Sequence, residues 1–280
     1  MQNFTQILFV MWRETVEAML VVGILYAWLS HHPAAQRGLN YLWGGVLAGL
    51  GGAFLLGLGI ESLSGVLSDD GHEYFMAGML LVAAVLIVQM VFWMRRHGRR
   101  LKQDMEDSLK QSTKNQNWWG VFSLAAIAVA REGSETVVFL SSLAIGSDGF
   151  ASGQFWLALG LGVVLAGATF ALLQLGGKFV SWRLFFKVTE ILLLLLACSL
   201  LMGGAEKLMD MQLLPVIKSQ IWDSSMLLDD GSVFGSVISS FTGYRARPAL
   251  MNLIVFVGYW VVIRLMMQPG RMSGSASKPA

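Results

Sequence analysis

Two apolar segments of this chain carry the same charged motif, Arg-Glu-x-x-Glu. The apolar segments extend from about 4 to 29 and from about 118 to 143. The motifs supply six charged side chains: Arg13, Glu14 and Glu17, then Arg131, Glu132 and Glu135. An ionised side chain in the middle of a bilayer costs on the order of 2.5–3.5 kcal/mol. A fold that buries both segments must therefore give these charges partners or a function.

The chain has the composition of a polytopic membrane protein. Of its 280 residues, 55% are hydrophobic and only 14% are charged, and the mean hydropathy is +0.60. A membrane-spanning helix needs roughly 20 apolar residues. Seven segments are long enough, at about 4–29, 41–60, 73–94, 118–142, 154–176, 184–205 and 248–267. We expect an all-α protein with seven transmembrane helices. One cysteine, Cys198, excludes an internal disulfide and a cysteine-based metal site.

The basic residues predict how these helices are oriented. The segment 95–117, between the third and fourth predicted helices, contains seven Lys and Arg residues. Short loops rich in Lys and Arg stay on the cytoplasmic side of a membrane. The prediction is therefore an N-terminus outside and a C-terminus inside, with most acidic residues at the outer helix ends, where they would attract cations.

An internal repeat relates the two motifs. The first motif recurs 118 positions later, and the same offset carries residues 44–49 of the second span onto 162–167 of the fifth. Each unit holds three spans, so the second unit enters the membrane from the opposite side, as in inverted-topology repeats. We expect one transmembrane domain, 1–280. Its parts are repeat 1 (about 1–95), a cytoplasmic loop (95–117), repeat 2 (about 118–205), an outer loop (206–247) and a seventh helix with its tail (248–280).

The spacing within each motif favours a cation site. Glutamates three residues apart share one helix face, and an arginine reaches a glutamate at i+4. We expect Arg13 to pair with Glu17 and Arg131 with Glu135. Four carboxylates against two guanidiniums leave a formal charge of −2, which a cation or protons must balance. Such hard oxygen ligands suit Mg, Ca, Mn or ferric iron better than Cu(I). The alternative is a set of salt bridges that joins two helices and binds nothing.

Two further acids are candidates on a cation pathway. Glu73 lies at the outer start of the third span, where a solvated loop residue is the alternative. Glu190 lies in the sixth span, as a pathway ligand or proton carrier, or as a residue near the inner interface that reaches Lys187.

The paired motifs resemble the signature of the oxidase-dependent iron transporter family, which includes the fungal high-affinity iron permease and the bacterial EfeU-type iron permease. That family has Arg-Glu-x-x-Glu in the first and fourth of seven membrane helices. The likeness to bacterial members continues in residues 91–95, 185–187 and 232–244. The resemblance implies a permease that moves Fe2+ or Fe3+ across the cytoplasmic (inner) membrane into the cell. The implied iron ligands are Glu14, Glu17, Glu132 and Glu135, with Arg13 and Arg131 completing the motifs.

The resemblance implies a partner as well. Because such a permease has no oxidase chemistry of its own, an extracytoplasmic oxidase or peroxidase is expected, and iron is the transported substrate rather than a prosthetic group. One departure from the family is Met76, where similar bacterial proteins often have Glu, and Glu190 is a candidate to compensate.

Other functions remain open from the residues alone. One is the transport of another divalent cation such as Mn2+, and another is proton-coupled transport of a cationic solute. A third is an intramembrane carboxylate-metal enzyme, but di-iron bundles use Glu-x-x-His motifs and no predicted span places a histidine at its centre. A membrane scaffold without transport leaves the buried charges unexplained.

Overall fold

The structure is a computed structural model that describes residues 2–32, 36–97, 118–144, 152–175, 182–215, 217 and 220–268. The described residues form eight helices and no strands. In chain order the helices are α1 (Gln2–His31), α2 (Gly38–Val66), α3 (Asp69–His97), α4 (Trp119–Ala144), α5 (Gly153–Leu175), α6 (Trp182–Asp210), α7 (Val233–Thr242) and α8 (Leu250–Met267).

Seven of these helices coincide with the seven predicted segments. The short helix α7 was not predicted, because it lies within the expected outer loop 206–247. It begins after Ser232, whose hydroxyl accepts a 3.0 Å hydrogen bond from the Gly235 amide, and ends at Gly243, which has φ 70°. The predicted cytoplasmic loop falls outside the described residues from 98 to 117, and the C-terminal tail does so from 269 onward.

Membrane-spanning character is clear for most of the long helices. Five of the described helices, α2, α3, α5, α6 and α8, are long and apolar enough to cross a membrane. The other two long helices, α1 and α4, contain the charged motifs, and three charged residues in each lower its hydropathy. The described helices are therefore those of a polytopic membrane protein.

The motif helices α1 and α4 pack against each other at the centre of the bundle. Around them, α2 packs on α4, α5 packs on α1, and α3 packs on α6. Exchanging α1 with α4, α2 with α5 and α3 with α6 reproduces this same set of pairs. The short helix α7 rests on α1 and α6, and α8 rests on α6.

Glycines bring the outer helices close to the central ones, as small residues commonly do in membranes. A Cβ built on Gly49 of α2 would lie 2.8 Å from the Val129 Cβ of α4. A Cβ built on Gly162 of α5 would lie 2.8 Å from the Met11 Cβ of α1. Val129 follows Met11 by 118 positions, whereas Gly162 follows Gly49 by only 113.

The buried faces of α2 and α5 give the same register. The buried residues of α2 recur 113 positions later in α5: Leu42, Gly45, Gly49 and Ala53 correspond to Phe155, Ala158, Gly162 and Ala166. The predicted single offset of 118 is therefore wrong for this pair of helices, although it holds for the motifs of α1 and α4. The physical reason is the position at which the helix starts. The helix α5 begins at Gly153, three positions before an offset of 118 would place the equivalent of Gly38, where α2 begins.

An apolar core between α1, α3, α4 and α6 supports the motif helices. It includes Val10, Ile87, Phe139 and Leu193, none of which is more than 1% exposed. Close packing of this kind leaves little freedom for neighbouring side chains. The charged motifs are therefore held by a rigid apolar frame.

Candidate metal centre

The first motif lies in the middle of α1 and is almost completely buried. Arg13 is 1% exposed, Glu14 2% and Glu17 3%. The Arg13 Nη1 donates a 2.7 Å hydrogen bond to Glu14 Oε1, and the guanidinium also pairs with Glu17 one turn later. The predicted pair of Arg13 with Glu17 is confirmed, and the contact with Glu14 adds to it.

The second motif, in α4, is paired in the same way but is more accessible. The Arg131 Nε lies 3.2 Å from Glu135 Oε1, which confirms the second predicted pair. Glu132 is buried at 8% exposure, whereas the side chains of Arg131 and Glu135 are 31% and 13% exposed. The α1 half of the site is thus closed, and the α4 half is the more open one.

The two motifs meet where α1 packs on α4. Glu14, Glu132 and Glu135 each offer a carboxylate oxygen, and these three oxygens all lie within 4.8 Å of one another. Oxygens on opposite sides of one cation, each at about 2.3–2.6 Å from it, are up to about 5 Å apart. The spacing therefore fits a single ion shared by both helices. Glu17 adjoins this group through its pair with Arg13.

Each of the four glutamates has at least one buried oxygen without a hydrogen-bond partner. Within the described part of the chain, these include Oε2 of Glu14, Glu17, Glu132 and Glu135. Glu17 Oε1 has no hydrogen bond either, although it forms an ion pair with Arg13. Leaving a buried polar atom unpaired costs about 1–3 kcal/mol, and more when the group is charged. A hard cation would satisfy such oxygens directly, because carboxylates are hard ligands. The residues present therefore fit a cation.

One side of α3 contacts both motif arginines, which the sequence analysis did not anticipate. The Arg13 Nη1 lies 2.9 Å from Met90 Sδ. The Arg131 Cζ lies 3.8 Å from the centre of the Trp93 ring, in cation–π geometry. Met90 and Trp93 are three residues apart, so they share one helix face. The sequence of residues 91–95 gives no local signal of this contact, because the contact depends on how α3 packs against α4.

Aromatic side chains close the α1 side of the site. The Trp12 Nε1 donates a 2.9 Å hydrogen bond to Thr169 Oγ1 of α5, and the Trp12 ring lies edge-on to Phe185 of α6 at 5.5 Å. Val16, which is fully buried, packs with Ala166 and Phe185. These contacts pack the motif-bearing part of α1 against α5 and α6.

The two further acids proposed from the sequence lie elsewhere. Glu190 pairs with Arg95 near the end of α3, so its partner is not the Lys187 that the sequence suggested. Glu73 is exposed near the start of α3. Neither belongs to the group of closely spaced carboxylates found among the described residues. A role for either on the pathway stays a prediction.

The segment between α6 and α8 is fixed by a polar network. Arg245 donates to both oxygens of Glu206, at 2.7 and 2.8 Å, and to Ser239 Oγ at 2.7 Å. The Asn252 Nδ2 donates a 3.0 Å hydrogen bond to the same carboxylate. The hydrogen bonds with Glu206 raise the pKa of the Arg245 guanidinium, which therefore keeps its charge. The network ties α7 and α8 to the end of α6.

The helix α7 lies close to the first motif. Phe241 is edge-on to Phe9 of α1, with ring centres 5.3 Å apart, and Phe9 is one turn before Arg13. The Gln6 Nε2 donates a 2.5 Å hydrogen bond to the Ser240 carbonyl. The helix α7, which lies within the predicted outer loop, thus packs against α1 just before the first motif.

Known proteins resemble this chain over nearly its whole length. The family model described as "Iron permease FTR1 family" matches residues 4–273. The ferrous iron permease EfeU of Shigella sonnei (strain Ss046) is 30% identical over 97% of this chain and 98% of its own length, and that of Escherichia coli O157:H7 gives the same values. The ferrous iron permease EfeU of Yersinia pestis is 28% identical over 95% of both chains. No solved structure gives a significant match.

Proposed function

The chain belongs to the iron permease FTR1 family, and on that premise we propose that it moves iron across a membrane through the carboxylate site between α1 and α4. Membership confirms the family that the two motifs suggested. Members of this family are transporters rather than enzymes, with iron as the transported substrate and no prosthetic group.

One observation carries the proposal: buried carboxylates from two helices converge with their oxygens unpaired. Glu14, Glu132 and Glu135 place ligand oxygens within 4.8 Å of one another, and each retains a buried oxygen without a partner. A salt-bridge lock between helices would instead pair these oxygens with the nearby arginines. We assign the four motif glutamates as the iron ligands, with Arg13 and Arg131 as the charges that offset part of their negative charge between transport events.

The arrangement supports alternating access between two inverted repeats, 1–95 and 118–205. The equivalent pairing of α1 with α5 and of α4 with α2 agrees with such a repeat, and substrate sites in these transporters lie where the repeats meet. In this proposal the two units rock against each other around the glutamates. At each step the glutamates exchange their arginine partners for iron, or iron for arginine.

The direction of transport and the setting are part of the proposal. The basic loop 95–117 supports a cytoplasmic location for that loop, hence an N-terminus outside and iron moving inward across the cytoplasmic (inner) membrane. An extracytoplasmic oxidase or peroxidase partner is proposed from the family resemblance. Either Fe2+ or Fe3+ is compatible with carboxylate ligands.

The experiment is uptake of radioactive iron by cells that lack other iron importers. The wild type is compared with Glu132→Gln, which removes the charge but keeps the shape, and with Glu61→Gln as a matched control at the exposed end of α2. Uptake lost only in Glu132→Gln supports the proposal. Normal uptake by that variant at equal membrane amounts contradicts it.

Two further arms address substrate and partner. Ascorbate keeps iron in the Fe2+ state. If uptake in the presence of ascorbate does not require an oxidising partner, Fe2+ is the permeating ion. Competition by excess Mn2+ tests the rival specificity. Strong competition by Mn2+ together with weak iron uptake would shift the assignment to another divalent cation.

A further inference from the structure

We propose that Met90 and Trp93 of α3 are positioning residues that hold the two motif arginines partly away from the glutamates and so set the affinity of the site for iron. This inference rests on the proposed function, because it concerns the same site. It assigns a role to α3, which contributes no carboxylate to the site.

The Arg13 guanidinium forms fewer hydrogen bonds with the neighbouring carboxylates than its donors allow. Its Nη1 is shared between Glu14 Oε1 at 2.7 Å and Met90 Sδ at 2.9 Å. Its Nε has no partner among the described residues, and neither do Oε2 of Glu14 and Oε2 of Glu17. A guanidinium free to turn would form parallel hydrogen bonds with a carboxylate. Met90 therefore holds Arg13 in an orientation that leaves ligand oxygens free.

Arg131 is held in a comparable way on the other side of the site. Its contact with Glu135 runs through Nε alone, at 3.2 Å, rather than as a two-pronged pair. The Arg131 Cζ lies over the Trp93 ring instead, 3.8 Å from the ring centre. Trp is the aromatic side chain that attracts a cation most strongly.

Both positioning residues, Met90 and Trp93, are uncharged, and this matters for iron binding. A third acidic partner for each arginine would hold it equally well but would add a competing ligand for iron. A thioether and an aromatic face attract a guanidinium without such a carboxylate. When iron binds the glutamate oxygens, Arg13 cannot move into water because it is buried. Its contact with Met90 of α3 then replaces part of its contact with the glutamates. Loss of the Met90 or Trp93 side chain lets the corresponding arginine pair more fully with the glutamates, where it competes with iron.

The expected effect is on KM rather than on the maximal rate. Met90→Leu keeps the volume but removes the sulfur, and Trp93→Leu removes the aromatic face, so each should raise the KM for iron uptake by roughly three- to tenfold. Trp93→Phe retains a ring face and should restore most of the affinity. The matched controls are Met94→Leu, on the same helix, and Trp260→Leu, on α8, which should leave KM unchanged.

The measurement is the initial rate of radioactive iron uptake over a range of iron concentrations, because KM does not depend on how much protein reaches the membrane. Calorimetric titration of the purified, full-length protein with Fe2+ under anaerobic conditions gives the affinity independently of transport. Weaker binding in Met90→Leu and Trp93→Leu, with recovery in Trp93→Phe, supports the inference. An unchanged KM and affinity, or an equal change in Met94→Leu, overturns it.

Failure of the inference and failure of the proposed function give different results. If the carboxylate site is not the iron site, Glu132→Gln binds and transports iron normally. If only the role of α3 is wrong, Glu132→Gln loses iron binding while the Met90 and Trp93 variants keep wild-type affinity.

Discussion

Glu14 of α1 and Glu132 of α4, separated by 118 residues in sequence, bring their carboxylates together where the two central helices pack, with ligand oxygens within 4.8 Å. Each is the second residue of its motif. Because both are buried, their shared charge is shielded little by solvent. This relationship makes the two motifs one site rather than two.

The first prediction concerns the unequal burial of the two arginines. Arg13→Met removes a fully buried guanidinium and leaves two carboxylates uncompensated, which should lower the free energy of unfolding by about 3–5 kcal/mol. Arg131→Met, at a side chain that is 31% exposed, should cost clearly less. Thermal unfolding of the purified proteins in one detergent measures both. Equal losses would show that the α1 half is no more closed than the α4 half.

The second prediction concerns the close approach of α2 to α4. A Cβ at Gly45 would lie 2.4 Å from the Phe122 carbonyl oxygen, so Gly45→Ala should force the helices apart and cost about 1–3 kcal/mol of stability. Gly51, on the same helix, has nothing within 4 Å of an added Cβ, and Gly51→Ala should be neutral or slightly stabilising. Thermal unfolding in detergent measures the stability of both variants. A harmless Gly45→Ala would contradict the observed packing.

The third prediction concerns the network that fixes α7. Arg245→Met breaks a two-pronged pair with Glu206 and should make the segment 220–249 sensitive to protease, with a loss of about 1–3 kcal/mol. Arg247→Met is the matched control, because its pair with Asp223 at 2.9 Å is exposed to solvent and should contribute little to stability. Limited proteolysis distinguishes the two. Equal cleavage of both variants would rule out a special role for Glu206.

The fourth prediction concerns Glu190, whose partner Arg95 lies near the end of α3. If the pair is structural, Glu190→Gln should retain most iron uptake, and the double charge swap Arg95→Glu with Glu190→Arg should behave like the wild type. If Glu190 carries iron or protons along the pathway, the swap will not restore uptake, because the carboxylate has moved to another helix. Uptake at equal membrane amounts separates these roles.

The sequence predicted the helices and the motif pairs because both depend on local spacing. Apolar length fixes the long helices, and the i+4 rule fixes the pair of Arg131 with Glu135. That α1 packs on α4 was expected from the shared motif. The contact of Trp93 with Arg131 was not predictable, since it depends on how α3 is rotated against α4. The register of α2 and α5 was misjudged for a similar reason: sequence likeness gave an offset of 118, and packing gives 113.

The short helix α7 was missed because ten residues are too few to give a membrane signal. Its position depends on long-range contacts such as that of Phe241 with Phe9, which leave no local pattern. The Ser232 cap and the glycine at 243 are the signals that were available, and together they mark the start and end of a helix.

The most direct test of a single shared site is the stoichiometry and affinity of Fe2+ binding to the purified protein under anaerobic conditions. Glu14→Gln, Glu132→Gln and the double variant are compared with the wild type by calorimetric titration. A site built jointly by α1 and α4 predicts that the wild type binds one high-affinity ion and that each single variant loses as much binding as the double variant. Two ions in the wild type, with one retained in each single variant, would show that the motifs bind independently and would contradict the account.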